Sequence, residues 1–436
     1  MIERRMIRIL TVYNKTNFFI ENGTPHGTTY DALKVFETEL NKKLQTKRLG
    51  VHCVFVPVDR NDLIPALLEG RGDIAAGNIY VTAERRKQVD FSEPAWSGIS
   101  QIAVTGPGAP PLAGLGSLSG KSVLVRKGSS MELNLERLNG GFKKAGRPPV
   151  HFSFAPEHLE DEDLLEMANA GLVKIIVVND YLASFWKQVL PDIALHSDIE
   201  VDKGGQIAWM FRKNSPLLKT EVDVFLKRNP QGSLERNMLF QSYLKNNRWI
   251  KNATTQQEML KFRRTVEFFR KYARQYDLDY LLMAAQGYQE SQLNQEARNP
   301  SGAIGVMQVL PSTGAEMNVG DITKIEPNIH AGIKYIRFMM DKYYVAEPMD
   351  RVNKMLFSFA SYNAGPARVS QLRREAAQRG LDPNIWFNNV EVIALEKIGR
   401  TTAQYVSNIY KYYIAYKLVT EEHEARQKAK EGLKKS

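Results

Sequence analysis

Short apolar runs alternate with segments of helical periodicity along the first half of the chain. Runs rich in β-branched and aromatic residues predict strands at 8–13, 51–58, 74–76, 122–125, 174–178 and 206–211. Apolar residues at helical spacing predict helices at 30–36, at 63–68 and from Ser130 onward. Strands interleaved with helices favour a parallel sheet. The turn-rich stretch 106–120 is predicted to carry the chain into a second lobe, and the strand at 206–211 to bring it back. The acidic segment 160–163 is predicted to lie on the surface.

From about Pro216 the hydrophobic pattern becomes helical throughout. Long amphipathic helices are predicted at 258–275, 278–293, 328–344, 352–362 and 401–419. Polar breaks at 246–248 and 252–255 place a domain boundary near 245–257. The predicted fold class is therefore multidomain, α/β plus α. Its parts are a bilobed α/β domain over 1–245, an α-helical domain over 255–420 and a charged tail over 421–436. Within the first domain, lobe 1 is predicted at 1–104 and 207–245, and lobe 2 at 105–206.

Composition narrows the kinds of site this chain can carry. Of 436 residues, 43% are hydrophobic and 25% charged, which is typical of a folded soluble protein and argues against disorder or collagen. A single cysteine, Cys53, excludes an internal disulfide and a multi-cysteine metal site. The seven histidines form no H-x-x-x-H pair, so we expect neither a protein-bound metal nor a cofactor.

The net charge and the N-terminal residues are evidence on the binding partners and the cellular location of the protein. The net charge of +11 and the isoelectric point near 9.4 favour a polyanionic partner, without choosing between nucleic acid, anionic lipid and an acidic polymer. No stretch approaches the ~18 apolar residues of a membrane span. The residues 1–5 contain no apolar signal core. The composition is compatible with two alternatives: either the chain is cytoplasmic, or a targeting segment lies outside this sequence.

The strongest candidate for chemistry is a glutamate at the end of an apolar helix. Tyr280–Ser291 is predicted to be helical, and Glu290 lies at helical spacing from Met283 and Gln286, on its partly buried face. Apolar surroundings disfavour the charged carboxylate and raise its pKa, which suits an acid that protonates a leaving oxygen. Ser291 is placed to hold the carboxyl by a hydrogen bond. A solvated glutamate at a helix end would give the same local pattern.

Three further segments add to this picture. A Gly-rich loop, 299–308, ends in apolar residues and an amide, and 311–313 reads as a helix start. The segment 359–365 closes a helix with a tyrosine, an asparagine and a glycine. Amides and tyrosines that line a groove suit the hydroxyl and acetamido groups of a sugar polymer.

The order of these motifs resembles the soluble-type lytic transglycosylase family. The motifs are Glu290-Ser291, Gly305-Val306-Met307-Gln308, Ala360-Ser361-Tyr362-Asn363-Ala364-Gly365 and Thr402-Ala403-Gln404-Tyr405-Val406. The resemblance covers about 255–420 and implies a lysozyme-like α fold that acts on peptidoglycan. Val306 stands where leucine is usual and Ser361 where alanine is usual, and neither difference affects Glu290.

The resemblance also implies a mechanism with one carboxyl group. Glu290 would protonate the oxygen between N-acetylmuramic acid and N-acetylglucosamine, then take the proton of the muramoyl C6 hydroxyl, which closes on C1 to give a 1,6-anhydro end. Glu296, the nearest acid in the motif loops, is interpreted as a surface residue. By motif, Ser291 orients Glu290, Asn363 supports the site, Tyr405 tunes the carboxyl, and Met307, Gln308 and Tyr362 bind the sugar. Core packing is the alternative role for Tyr405.

Residues 72–94 in the first half resemble family 3 extracellular solute-binding proteins, over roughly 7–240. That family typically binds amino acids in a cleft between two α/β lobes. The resemblance implies that Arg85 holds a ligand carboxylate, that Asn78 and Tyr80 line one cleft wall, that Ser129 and Ser130 form a ligand-facing turn, and that Asp180 takes a ligand amino group. A surface salt bridge is the alternative for Arg85, and helix N-capping is the alternative for Asp180.

The order of the two modules implies a periplasmic enzyme at the outer membrane, whose targeting segment is absent from this sequence. Its partners would be peptidoglycan strands, an amino acid, peptide or muropeptide ligand that modulates the enzyme, and a peripheral membrane surface. Two other functions stay open: a solute-binding sensor that merely docks on peptidoglycan, and a hydrolytic lysozyme. Nucleic acid is not an expected partner, since no helix-turn-helix, RNP or basic-aromatic run occurs in the sequence.

Overall fold

The structure, a computed structural model, describes residues 5–21, 24–45, 50–229 and 256–434. The main division of the chain into two compact units falls between Trp249 and Ile250. The predicted boundary near 245–257 therefore lies almost wholly outside the described residues. Each unit is built around its own core.

The first sheet of the N-terminal unit has five strands in the order β4-β1-β5-β12-β6. They are β1 (Met6–Thr11), β4 (His52–Pro57), β5 (Ile74–Ala75), β6 (Asp90–Phe91) and β12 (Met210–Phe211). The helices α1 (Thr28–Lys43), α2 (Leu63–Leu68) and α7 (Pro216–Arg228) pack against them, and the short helix α3 (Ala83–Gln88) buries no residue. β1 pairs in parallel with β4 and β5, whereas β12 is antiparallel to its neighbours. Alternate residues of β1 face opposite layers: Ile7 and Ile9 pack with α1 and α7, and Leu10 packs with α2.

The second sheet has the order β11-β7-β10-β8-β9. Its strands are β7 (Trp96–Thr105), β8 (Ser122–Arg126), β9 (His151–Ala155), β10 (Ile175–Asn179) and β11 (Ala194–Ile207), and its helices are α4 (Ser130–Lys144), α5 (Asp161–Asn169) and α6 (Asp180–Lys187). β8 is parallel to β9 and β10, whereas β7 is antiparallel to β10 and β11. The small strands β2 (Phe19–Glu21) and β3 (Thr24–His26) form a separate hairpin.

The chain crosses between the two sheets earlier than the sequence predicts. β7 already belongs to the second sheet, so the crossings are at 92–95 and 208–209, and the stretch 106–120 is a connection inside the second lobe. The return at 206–211 is as predicted. The prediction of a parallel sheet was wrong for both sheets. Each contains antiparallel pairs, because strands that run between two lobes return antiparallel to their neighbours.

The acidic segment 160–163, predicted to lie on the surface, is largely buried. Glu160, Asp161 and Glu162 are each 4% exposed or less. Arg126 donates to Asp161 at 2.7 Å, and Arg60 donates to Glu160 at 3.0 Å. Partnered arginines offset the cost of burying these carboxylates, a possibility that a run of like charges does not reveal.

The C-terminal unit is helical over the residues that the structure describes. Its helices are α8 (Gln256–Gln275), α9 (Tyr280–Ser291), α10 (Pro311–Met317), α11 (Ile325–Met339), α12 (Arg351–Ala364), α13 (Pro366–Gln378), α14 (Glu391–Ile398) and α15 (Arg400–Lys434), with π turns at Met340–Tyr344 and Trp386–Val390. Every residue of α9 from Leu281 to Tyr288 is buried, which makes α9 the central helix. α13 and α14 were not predicted. Among the described helices none is long and apolar enough to cross a membrane.

Candidate active site

Glu290 lies at the end of the central helix, where the chain turns back. Asp279 caps the start of α9 by accepting hydrogen bonds from the amides of Leu281 and Leu282. The helix stops after Ser291 because Gln292 adopts a left-handed conformation, with φ of 58°. The buried helix thus delivers one carboxyl group to a partly exposed position.

The Glu290 carboxyl is held by a tyrosine from α15. The Tyr405 hydroxyl donates to Glu290 Oε1 at 2.5 Å, and Tyr405 is 7% exposed. Burial raises the pKa of Glu290 to about 7, and the hydrogen bond from Tyr405 partly opposes that rise. Burial and the neighbouring negative charge of Glu290 also hold the pKa of Tyr405 well above its usual value. The carboxyl therefore titrates near neutrality while the phenol keeps its proton.

A second tyrosine connects the site to the Gly-rich loop. The Tyr362 hydroxyl donates to the backbone oxygen of Met307 at 2.7 Å. Burial first, and then the charge of Glu290, raises the pKa of Tyr362 far above its usual value. The ring of Tyr335 lies edge-on to that of Tyr362 at 5.7 Å. Tyr362 is thus both a neighbour of the carboxyl and a support for the loop.

Met307 was predicted to bind sugar, but its side chain is buried in this structure. Met307 is 0% exposed and packs against Gly332 of α11, where a Cβ would lie 2.6 Å from Met307 Cβ. The loop comes this close to the helix because residue 332 has no side chain. Met307 contributes its backbone carbonyl to the site, through Tyr362.

Asn328 of α11 holds the same loop, and sequence reasoning missed it. Its Oδ1 accepts from the Met307 amide at 2.8 Å, and its Nδ2 donates to the carbonyls of Ile304 at 2.9 Å and Ile322 at 3.1 Å. Asn328 is 0% exposed. The available signal was an asparagine on the apolar face of a predicted helix, which needs partners once it is buried.

Ser291 does not hold the Glu290 carboxyl as predicted. Its hydroxyl donates to the Val306 carbonyl at 2.8 Å and accepts from the Asn294 amide at 3.0 Å. Adjacent helical residues point in directions about 100° apart, so Ser291 faces the loop when Glu290 faces Tyr405. Ser291 therefore fixes the loop against the end of the helix.

Gln308 and Asn363 lie at the edge of the site, and each uses one side-chain group in hydrogen bonding within the protein. Gln308 Nε2 donates to the Gly305 carbonyl at 2.9 Å, and Asn363 Oδ1 accepts from Thr402 Oγ1 at 2.8 Å. Gln308 is partly exposed and Asn363 is exposed, whereas Glu296 is an exposed surface residue as predicted. Direct contact of Gln308 with sugar, and support of the site by Asn363, stay predictions.

In the N-terminal unit, a small pocket lies beside Asn78. It has room for a few water molecules, about 50 Å³, and its walls are formed by Asn17, Thr28, Thr29, Ala32, Asn78, Ala95, Trp96, Tyr181, Ile207 and Trp209. Trp96 and Tyr181 stack with ring centroids 5.0 Å apart. Asn78 Oδ1 accepts from the Tyr181 hydroxyl at 2.5 Å, a bond between the two lobes. Of the predicted ligand residues, the structure places Asn78 on this wall.

Arg85 is held by backbone carbonyls. It donates to the carbonyl of Tyr80 at 2.8 Å and lies 3.5 Å from that of Gly128, and among the described residues no carboxylate pairs with it. Burial, together with the positive charges of Arg60 and Arg126, lowers the pKa of Arg85 to about 10. The structure does not form the surface salt bridge that was the alternative. A guanidinium among like charges favours an anion.

The other predicted ligand residues are committed to protein contacts. Tyr80 is 5% exposed and its hydroxyl donates to Asp202 of β11, so it faces that strand and not the pocket wall as predicted. Ser129 Oγ caps α4 and Ser130 Oγ accepts from Gln101. Asp180 Oδ1 accepts from the amide of the next residue, whereas Asn179 takes the N-cap position of α6. Their roles toward a ligand stay predictions.

Direct contacts already join the two lobes in this structure. Arg60 and Lys15 of the first lobe pair with Glu160 and Glu166 of the second. The Trp186 indole, on α6, donates to Thr16 Oγ1 at 3.1 Å. The cleft is therefore described in a closed form. Among the described residues no cluster of three or more His, Cys, Asp or Glu side chains suits a metal ion.

Comparisons with known proteins found proteins similar to this chain. Two relatives named membrane-bound lytic murein transglycosylase F are similar to most of the chain: that of Desulfosudis oleivorans is 27% identical over 93% of this chain and 89% of its own length, and that of Actinobacillus succinogenes is 28% identical over 94% and 84%. A solved structure, an ancestral arginine-binding protein bound to arginine, is 25% identical and covers 55% of this chain and 98% of its own, with a TM-score of 0.44.

Family models match both halves, and they confirm the predicted fold class and the resemblance to a solute-binding domain joined to a transglycosylase. Residues 267–385 match the transglycosylase SLT domain. Residues 7–245, more than half of the chain, match the bacterial extracellular solute-binding proteins, family 3. The chain therefore belongs to the family 3 bacterial extracellular solute-binding proteins and carries a transglycosylase SLT domain after its solute-binding domain.

Proposed function

We propose that this chain is a lytic transglycosylase that cleaves the β-1,4 bond between N-acetylmuramic acid and N-acetylglucosamine in peptidoglycan. The observation that carries the proposal is the Glu290 carboxyl, which is buried enough for a pKa near 7 and is held by Tyr405. It lies inside the segment that matches the transglycosylase SLT domain.

The reaction needs one group that acts first as an acid and then as a base. Protonated Glu290 gives its proton to the glycosidic oxygen as the bond from C1 breaks. The resulting carboxylate takes the proton of the muramoyl C6 hydroxyl while that oxygen bonds to C1. The substrate supplies its own nucleophile, so the second carboxylate of ordinary glycosidases is not required.

Digestion of purified murein tests the proposal. Mass spectrometry of the products should find 1,6-anhydro ends with the wild-type chain. Reducing ends in their place would identify a hydrolase, and an absence of cleavage would leave a peptidoglycan-docking protein.

The N-terminal unit is proposed to bind a small anionic ligand, an amino acid or a cell-wall peptide, and through it to modulate the enzyme. Support comes from Arg85, which faces carbonyls and lies near the charges of two further arginines. Calorimetry of the full chain against a panel of amino acids and murein peptides tests this. Arg85→Ala should abolish the heat of binding, whereas an absence of binding across the panel for the wild type contradicts the proposal.

The remaining proposals concern location. The relatives are named membrane-bound, and we propose that the chain works in the periplasm at the inner face of the outer membrane. Fractionation of cells that express the full gene should recover the protein with the outer membrane. Recovery in the cytoplasm would contradict the proposal.

A further inference from the structure

Gln286 is a polar residue in the fully buried stretch of α9. It lies on α9 one turn before Glu290, and it is 0% exposed. Its sequence neighbours Ala284, Ala285 and Gly287 are buried as well. Burial of an amide is unfavourable unless its donors and acceptor find partners, so its presence here needs a reason.

The Gln286 amide is directed at the phenol that holds the catalytic carboxyl. Gln286 Nε2 donates to the Tyr405 hydroxyl at 3.4 Å, and that hydroxyl donates to Glu290 Oε1 at 2.5 Å. Among the described residues, Gln286 Oε1 has no hydrogen-bond partner. The amide therefore makes one polar contact, at the cost of leaving its own oxygen unsatisfied.

The chemistry of the three groups gives this chain of hydrogen bonds a direction. An amide NH₂ can only donate, so the Tyr405 oxygen accepts from Gln286. The phenol has a single proton, and with the amide on one side that proton points to Glu290 Oε1. Donation from Gln286 also makes the phenol a stronger donor, because hydrogen bonds in series polarise one another.

We propose that Gln286 is a positioning residue, which locks the Tyr405 proton onto Oε1 of Glu290 and so leaves Oε2 as the oxygen that carries the working proton. The inference rests on the proposed function. Oε2–H gives its proton to the glycosidic oxygen as the C1–O bond breaks, and Oε2 then takes the C6 hydroxyl proton as the O6–C1 bond forms. Tyr405 keeps its proton throughout, so protons and bonds balance between Glu290 and the sugar.

A double-mutant cycle with Gln286→Met and Tyr405→Phe tests the proposal. Methionine has a similar length and no donor. In Gln286→Met we expect kcat for murein cleavage to fall at least about threefold with KM within about twofold. In the Tyr405→Phe background the same substitution should change kcat by less than about twofold, because Gln286 acts through the phenol.

Stability separates positioning from a structural role. Methionine removes an unsatisfied buried oxygen, so the melting temperature of Gln286→Met should stay the same or rise while activity falls. A fall in melting temperature with unchanged kcat would overturn the proposal. An equal loss of kcat in both backgrounds would overturn it too.

A measurement of the Glu290 pKa tests the inference without any substrate. Carbon-13 NMR of the full chain, with the Glu290 carboxyl assigned by its loss in Glu290→Gln, gives the pKa directly. Gln286→Met should raise that pKa in the wild-type background and leave it unchanged beside Tyr405→Phe. If wild type cuts no murein, the proposed function fails and this titration still tests Gln286. If wild type cuts and neither variant shifts the pKa, the inference alone fails.

Discussion

Two opposing influences act on the Glu290 carboxyl. Burial raises its pKa to about 7, and the hydrogen bond from Tyr405 opposes part of that rise. Near neutral pH both the acid and the carboxylate are populated, so one group can give a proton in the first step and take one in the second. The balance between burial and a single phenol thus sets the working range of the site.

Replacement of this carboxyl should separate activity from stability. Glu290→Gln removes both acid and base roles, so murein turnover should fall at least ~10³-fold. The folded-state pKa of Glu290 lies above the ordinary value, so the contribution of this group to stability is complete below about pH 4.5 and is lost as the pH rises through about 7. The variant should therefore be more stable than wild type at pH 8 by about 1–2 kcal/mol. Urea unfolding and product analysis measure the two effects.

The exposed Glu296 offers a matched control for this experiment. Glu296→Gln makes the same chemical change near the site and should leave turnover and unfolding close to wild type. Comparable activity losses in both variants would contradict the assignment of Glu290.

The pH dependence of the reaction should depend on Tyr405. For wild type, kcat/KM should fall above about pH 7 as Glu290 loses its proton. Tyr405→Phe removes the hydrogen bond that lowers the Glu290 pKa, so the alkaline limb should move to higher pH while the maximal rate drops. Initial rates between about pH 5 and about pH 9 measure this. An unmoved limb in the variant would contradict the role of the phenol.

The sequence predicted which residues matter at the site better than it predicted what they do. Glu290 and Tyr405 are 115 positions apart, and the structure joins them directly, as expected from the motif order. Met307 and Ser291 were given roles toward sugar and carboxyl, yet both hold the loop. A motif records that a position is restricted, and it cannot show whether the side chain or the backbone is the reason.

Among the elements, the Gly-rich loop has the most demanding position. Gly305 has φ of 80°, and a Cβ there would lie 2.3 Å from Asn328 Nδ2. A Cβ on Gly332 would likewise lie only 2.6 Å from Met307 Cβ. The loop therefore depends on two glycines and one asparagine to bring the Met307 carbonyl to Tyr362.

Loss of Asn328 should release this loop. Asn328→Ala removes three buried hydrogen bonds to the loop and its neighbour Ile322, so we expect about 2–4 kcal/mol lower stability. Murein turnover should fall as well, because Tyr362 loses its fixed acceptor. Urea unfolding and cleavage rates check both effects, and a variant with wild-type values in each would show that the loop holds its place without Asn328.

Helix α5 begins with carboxyl groups that are buried in the interior of the N-terminal unit. Glu162 is 2% exposed, and burial, followed by the charges of Glu160 and Asp161, raises its pKa to about 7. The unfolded chain ionises this group from about pH 4.5 upward, whereas the folded chain resists ionisation until about pH 7. The contribution of Glu162 to the free energy of unfolding is therefore complete at low pH and is lost as the pH rises through about 7.

Glu162→Gln should accordingly stabilise the protein at pH 8, by about 1–3 kcal/mol, and change little at pH 4.5. Chemical unfolding at the two pH values checks this. Glu136, exposed on α4, provides the matched control, and Glu136→Gln should leave both values unchanged. Equal stabilisation by both variants would indicate an effect of net charge and not of burial.

Two of the long amphipathic helices were predicted closely, whereas α13 and α14 were missed. The predicted 258–275 and 352–362 correspond to α8 and α12 with small shifts at their ends. α13 buries only Val369, Leu372 and Ala376, so its pattern hardly differs from a polar surface segment. The surface position predicted for the acidic segment 160–163 was wrong for a different reason. The arginines that pair with it come from distant parts of the chain.

On the scale of the whole molecule, the chain combines a solute-binding domain and a transglycosylase SLT domain with a net charge of +11. Peptidoglycan carries carboxylates on its peptide stems. A basic protein is attracted to such a polymer over a distance that salt controls.

Binding to murein should therefore weaken as ionic strength rises. With Glu290→Gln, which is expected not to cut murein, co-sedimentation with purified sacculi should show at least several-fold lower affinity at about 300 mM than at about 50 mM NaCl. Sacculi whose carboxyl groups have been amidated provide the control, and binding to them should lose the salt dependence. Binding that is insensitive to salt would contradict a role for the positive charge.

The sequence predicted two lobes followed by a helical domain, but it misplaced the crossing between the lobes. Glycines and prolines mark 106–120 as a turn region, whereas the real crossings at 92–95 and 208–209 are only four and two residues long. Connections this short between strands leave little trace in composition.

The bond between Trp186 and Thr16 gives the protein an optical reporter of its own. The indole is 1% exposed and belongs to the second lobe, while its acceptor belongs to the first. Any separation of the lobes would break this bond and bring water to the ring, which shifts tryptophan fluorescence to longer wavelengths. The difference spectrum between wild type and Trp186→Phe isolates that signal, so opening of the cleft can be followed in solution without a label.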